Sequence, residues 1–182
     1  WDGCKTETVE VHYKHPEFLI PFDINTFTGD AYPTYAWSCN AVEVEIDTLT
    51  GEMSILGAWG VYDVGVAIDY TIVQGQVQGG LLQSLGYSSM EQIAPNAKGV
   101  IRNNSFSNYI IPTAVDAPVI ETELFENPYE YGPFGAKGMG ELPCVGPAPA
   151  YLEACEMALG TNLCSIPFTP ENALELLKSE VN

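Results

Sequence analysis

Val42-Glu43-Val44-Glu45-Ile46-Asp47-Thr48-Leu49-Thr50-Gly51 decides how this chain begins to fold. Two valines and an isoleucine alternate with three acidic residues, the two-residue period of a strand with one buried face. Thr48-Leu49-Thr50-Gly51 is turn chemistry, and the apolar run over residues 53–63 supplies a partner strand. Together they read as a β-hairpin. Immediately downstream the period changes. Val77, Leu81, Leu82 and Leu85 fall near helical spacing within residues 73–87, and Gly79-Gly80 lets a neighbour approach the helix backbone closely.

Upstream, Val9, Val11 and Tyr13 alternate with Glu10, His12 and Lys14 and predict another strand, while residues 25–35 read as a turn-rich connection. Toward the C-terminus, Lys98-Gly99 opens a second strand-and-turn region. Val119, Glu121, Glu123 and Phe125 share one face of a strand predicted over residues 119–125, and residues 129–146 are the stretch densest in Gly and Pro. A small-residue helix is expected over residues 148–159, stopped by Gly160, and a terminal helix opens at Pro170-Glu171. No internal repeat is present. This order of elements predicts an α+β fold, with mixed or antiparallel sheets and packed helices.

Composition narrows the function. The 182 residues are 46% hydrophobic and 11% aromatic, enough for an apolar core and against disorder. Acidic residues number 24 against 6 basic ones, a net charge of −18. Lys5, Lys14, Lys98, Arg102, Lys137 and Lys178 form no patch in sequence, so nucleic-acid and membrane-surface binding are excluded on electrostatic grounds. Asp63 and Asp69 interrupt the most apolar stretch, residues 56–73, so it does not read as a bilayer span. The chain opens on Trp1 without a charged-then-apolar leader and reads as a piece of a longer, cytoplasmic polypeptide.

Cys4, Cys39, Cys144, Cys155 and Cys164 are odd in number and include no C-x-x-C pair, which points to reduced structural thiols. His12 and His15, three apart on a predicted strand, would face opposite sides and make poor joint ligands, so no protein metal ligand is assigned. There is no G-x-S-x-G elbow and no phosphate-loop pattern. Gly138-Met139-Gly140 meets Pro143 where the dinucleotide fingerprint needs glycine.

The unusual segment is Gly135-Ala136-Lys137-Gly138-Met139-Gly140-Glu141-Leu142-Pro143. Its glycines can present backbone N–H groups to an anion or cofactor that a Cβ would obstruct. A single carboxylate stands directly after them. Desolvated beside a bulky cofactor it would be a general base; otherwise it is a turn carboxylate at a helix N-terminus. On pattern alone both readings stand.

Lys137-Gly138-Met139-Gly140-Glu141-Leu142-Pro143 resembles the K-[AG]-x-G-E-P-P segment of the xanthine dehydrogenase/aldehyde oxidase family of molybdenum hydroxylases. Further landmarks occur in the family's order. Tyr32-Pro33-Thr34-Tyr35-Ala36 precedes the hairpin segment, itself similar to A-x-V-E-V-D-x-x-T-G. Asp63-Val64-Gly65 with Ala67-Ile68-Asp69 is similar to D-V-G-x-x-(I/L)-N-P. Gly75-Gln76-Val77-Gln78-Gly79-Gly80 is similar to G-Q-(I/V)-E-G-(A/G), and Asn108-Tyr109-Ile110-Ile111-Pro112-Thr113 to (D/T)-Y-K-I-P-(T/A). The chain departs from the pattern at Asp69-Tyr70, usually Asn-Pro, and at Leu142, usually Pro.

The resemblance implies that residues 1–182 are the C-terminal portion of a molybdopterin-binding domain, with residues 1–30 as a lead-in. It implies a molybdopterin cofactor in dinucleotide form, contacted by Gln76, Gly138, Met139 and Gly140, with the metal held by the pterin dithiolene. Glu141 would be the general base in hydroxylation of an N-heterocycle (purine or nicotinate-like) or an aldehyde with water-derived oxygen. Lys137 would be a cation near the site or a surface residue. The implied partners are the remainder of the subunit, an iron–sulfur subunit and an FAD subunit, since five scattered cysteines supply no cluster framework. The alternatives are a non-catalytic acidic assembly domain of the same fold, and a hydrolase pairing Glu141 with Asp63.

Overall fold

The hairpin forms as expected. In the computed structural model, which describes residues 6–179, β1 (Ser38–Ile46) and β2 (Met53–Gly65) pair antiparallel from Ile46↔Met53 to Ser38↔Tyr62, with a register shift between Glu43 and Val44. The turn is closed by its own polar groups. Asp47 accepts from the backbone N–H of Leu49 at 2.8 Å and of Thr50 at 3.3 Å, and Gly51 takes the left-handed φ of +75°. Val42, Val44 and Ile46 turn inward while Glu43 and Glu45 face out.

A third strand, β3 (Val119–Glu126), lies parallel to β2 on its other edge, so the sheet is mixed with order β1-β2-β3. Parallel pairing requires a crossover, and the connection contains α1 (Tyr70–Ser89). This helix starts three residues before the periodicity suggests, because Asp69 caps it by accepting from Ile72 N–H at 3.0 Å. The Asp69-Tyr70 departure from the family pattern therefore keeps a helix cap. Residues 91–118 are loop, with one isolated bridge between Pro95 and Ile101 in place of the second strand-and-turn region expected there.

Three helices complete the chain: α2 (Leu142–Val145), α3 (Pro147–Leu159) and α4 (Pro170–Ser179). Gly160 ends α3 at φ +69°, its N–H donating to the Glu156 carbonyl at 2.8 Å. The inner faces of the strands meet α1 and α3 in a core of Ala58, Leu81, Leu85, Tyr151, Cys155, Phe168 and Ala173. A second cluster, Tyr62, Val64 and Val77, lies at the C-terminal end of β2 and is joined by Met139 and Leu142 from the glycine-rich loop.

The chain divides into two compact units, Trp1–Tyr35 and Ala36–Asn182. In the first, the strand expected around residues 9–14 does not form. Val9 and Val11 are 79% and 84% exposed, and the described residues before Pro16 have no ladder partner. Alternation becomes a strand only where backbone groups can pair and the apolar side chains have a surface to cover.

Leu81 is fully buried between α1, the sheet and α3. Leu81→Ala is expected to destabilise the domain by about 2–5 kcal/mol, read as a lowered urea midpoint in unfolding of the subunit.

Candidate functional site

The site is built at the C-terminal end of β2. Gly65 turns the chain with φ +67°, and the glycine-rich loop is stitched across this end. Val66 N–H donates to the Gly135 carbonyl at 3.0 Å, Lys137 N–H to the Val64 carbonyl at 3.0 Å, and Asn127 N–H to the Gly65 carbonyl at 3.2 Å. Gly135 itself has φ +80°, so glycine is needed there for the turn.

Asp63 stands inside this knot, 3% exposed. Its Oδ2 accepts from Lys137 Nζ at 2.6 Å and from Asn127 Nδ2 at 3.0 Å, and its Oδ1 from Gly65 N–H at 3.1 Å. Burial alone pushes the carboxyl up, but the Lys137 ammonium and the other two donors outweigh it and hold it below the usual carboxylate value. Two sequence expectations are corrected here. The Lys137 side chain is 6% exposed, so it is not a surface residue; it is a buried cation paired with Asp63. Asp63 is consumed by its ion pair, which removes it as the second carboxylate of a hydrolase.

Beyond Lys137, Met139 packs on Tyr62, Val64 and Val77, and the Gln76 side-chain amide donates to the Gly140 carbonyl at 2.8 Å. Two segments singled out separately in the sequence thus meet next to Glu141. Pro143 is buried against Gly80, where an added Cβ would come within 2.9 Å of the proline Cβ. The next carbonyl, of Cys144, accepts from Tyr87 Oη at 2.7 Å and Ser84 Oγ at 2.9 Å, while Ser84 Oγ accepts from Ala148 N–H at 3.0 Å. These bonds satisfy main-chain groups left over where α2 meets α3.

Gly138 and Gly140 differ from the other glycines of the loop. Neither has a left-handed φ, and a Cβ at either would meet nothing within 4 Å. Among the described residues none accepts from the N–H groups of Gly138, Met139 or Gly140. Glu141 occupies the cap position of α2 but makes no side-chain capping bond, so the carboxylate is not spent on the helix. Its side chain is exposed, and the desolvation expected for a general base is not supplied by this chain. Its charge is still felt nearby: burial first, then Glu141, raises the Cys144 thiol pKa.

Sequence reading missed Asn127, Ser84, Tyr87 and the bond from Tyr62 to Asn40. One signal was present: an aspartate in an otherwise apolar, buried strand has to have a partner. Elsewhere, His12 is exposed beside Glu10 at 2.7 Å, and His15 stacks edge-on with Tyr13. Among the described residues, no group of three or more His, Cys, Asp or Glu is arranged to hold a metal. Cys39, Cys144, Cys155 and Cys164 are free thiols, and Cys4 lies outside the described residues. No helix of the described residues is long and apolar enough to cross a membrane.

A family model described as a molybdopterin cofactor-binding domain matches residues 4–118. The chain is 34% identical over 153 residues to the nicotine 6-hydroxylase large subunit of Paenarthrobacter nicotinovorans, covering 82% of this chain and 19% of that protein. It is 32% identical over 170 residues to the carbon monoxide dehydrogenase large chain of Hydrogenophaga pseudoflava, covering 92% and 19%. Among solved structures, the aldehyde oxidoreductase from Desulfovibrio gigas superposes with a TM-score of 0.75 at 27% identity, covering 88% of this chain and 17% of that one. Quinoline 2-oxidoreductase from Pseudomonas putida 86 gives 0.70 at 30% identity, covering 74% and 18%. The chain therefore spans about a fifth of the length of the relatives it matches.

The lowered pKa of Asp63 has a measurable consequence. Its stabilisation is complete above the ordinary value of 3.8 and is lost as pH falls through the lower folded-state value, where the ion pair must be protonated away. Asp63→Asn is expected to flatten the fall of subunit stability below about pH 4. Urea midpoints measured at intervals down that range check it.

Proposed function

The chain belongs to the molybdopterin cofactor-binding domain family, and on that premise we propose that it is part of the large subunit of a molybdenum hydroxylase, with Glu141 as its general base. The observation that carries this reading is the 2.8 Å hydrogen bond from Gln76 Nε2 to the Gly140 carbonyl. It joins segments 64 residues apart into one surface that ends in an uncommitted carboxylate.

The residues present suit such a cofactor. A pterin with phosphate groups is rich in acceptors, and the N–H groups of Gly138, Met139 and Gly140 are donors with no acceptor among the described residues. A Cβ at Gly138 or Gly140 would stand in the space the cofactor needs and touches nothing of this chain. Gln76 spends one amide N–H on Gly140 and keeps a second N–H and its carbonyl oxygen for the ligand. That the described residues include no metal-ligand cluster is compatible with such a cofactor, whose metal would be carried by the pterin itself.

When bound, the cofactor supplies a Lewis-acidic metal that activates water-derived oxygen and takes up two electrons from the substrate. The work left to the chain is proton transfer and orientation. Glu141 accepts, at a carboxylate oxygen, the proton of the oxygen being transferred. Its exposure in this chain means that cofactor, substrate and the rest of the subunit provide the desolvation that strengthens the base. Gln76 holds the loop and the cofactor in one frame.

The substrate class is an N-heterocycle, purine or nicotinate-like, or an aldehyde. Relatives named for nicotine, xanthine and aldehydes support that range. The partners are the remainder of the subunit, an iron–sulfur subunit and an FAD subunit. The location is cytoplasmic, as reduced thiols favour.

Glu141→Gln in the assembled enzyme is expected to lower turnover by about 10²–10⁴-fold with molybdenum and pterin content unchanged. Full turnover in that variant removes the base, and absence of metal from the complete native complex favours the non-catalytic assembly domain instead. Gly138→Ala and Gly140→Ala are expected to leave subunit unfolding within about 0.5 kcal/mol of the parent while lowering molybdenum content. Undiminished content in both variants sinks the cofactor contact.

A further inference from the structure

We propose that the buried Asp63–Lys137 ion pair is the positioning device for Glu141; this rests on reading Glu141 as the base. Gly138 and Gly140 give the intervening backbone wide conformational freedom, so a carboxylate on this loop keeps one position only if the loop is pinned from outside. It is pinned at four places, one of them the Gly140 carbonyl, which accepts from Gln76 Nε2 at 2.8 Å. Lys137 is held twice, by main chain to Val64 at 3.0 Å and by side chain to Asp63 at 2.6 Å. Met139 is packed into the Tyr62–Val64–Val77 cluster, and Pro143 is buried against Gly80.

The Lys137 pin is the one of the four made by charge. Asp63 gathers Lys137, Asn127 and Gly65, which come from three separate segments, around one carboxylate 3% exposed. Its strand position is fixed by pairing with both sheet neighbours, Trp37 and Phe125 included. The ammonium thereby ties the loop to the hydrogen-bonded end of β2. Lys137 is four residues before Glu141 and directly before the first open glycine. A lapse there leaves only the Met139 packing and the Gln76 bond to Gly140 upstream of the carboxylate, and misplacement of a reacting group by about 1 Å can cost about 10²-fold in rate.

The test is a double-mutant cycle in the assembled, cofactor-loaded enzyme. Lys137→Met is expected to lower kcat by about 10–100-fold with KM within about threefold of the parent, and to add no further loss on top of Glu141→Gln in single-turnover reduction by substrate. Amide exchange over residues 138–142 is expected to rise about tenfold while α1 is unchanged. Equal loss in both backgrounds, or unchanged kcat and exchange, overturns the proposal. Full activity of Glu141→Gln alone is a different failure, that of the base. Should Lys137→Met fail to assemble because Asp63 is left buried and unpaired, the pair Asp63→Asn/Lys137→Met removes both charges. The same cycle in that background decides, and parental kcat there overturns the proposal.

Discussion

A carboxylate drawn out of water at the end of a strand must find its counter-charge inside the protein, and in this chain it finds it 74 residues away. That requirement organises the C-terminal end of β2 and the loop across it. Once Asp63 is buried, Lys137 is obliged to come to it, and Asn127 and the Gly65 N–H complete its coordination. The strand end, the segment after β3 and the glycine-rich loop are thereby converted into one knot. An apolar residue in place of Asp63 would fill the same space without naming a partner.

The sheet sets up this meeting. β2 is the central strand, antiparallel to β1 and parallel to β3, so the crossover carrying α1 and the segment leaving β3 both reach the same end of the sheet. Gln76, on the crossover helix, arrives beside Gly140 for that reason. Ser84, Tyr87 and Gly80 on the same helix receive the start of α2 and α3. One helix thus serves as the floor for the loop and as the anchor for the two helices after it.

Local signals in the sequence were legible and nonlocal ones were not. The hairpin could be read because alternation, turn residues and a second apolar run lie within about thirty residues; the helices stopped by Gly160 and opened by Pro170 could be read from terminal chemistry. Alternation misled at Val9 and Val11, which pair with no strand among the described residues. Lys137 misled for a different reason: a lysine in a polar loop reads as solvated until the buried carboxylate is known. Glu141 was singled out by motif, but that it stands exposed at the cap of α2 without a capping bond follows from how the loop is held and not from the motif.

Gly75 and Gly79 on α1, like Gly138 and Gly140 on the loop, have nothing of this chain where a Cβ would point. At these positions the surface is lined by main chain with open space beside it. Such a face is tuned in one direction only: every replacement adds bulk, and none can restore what the bulk takes away. A side chain placed at any of the four would therefore project into that space without moving an atom of this chain, so bulk can be added there at little cost to the fold itself.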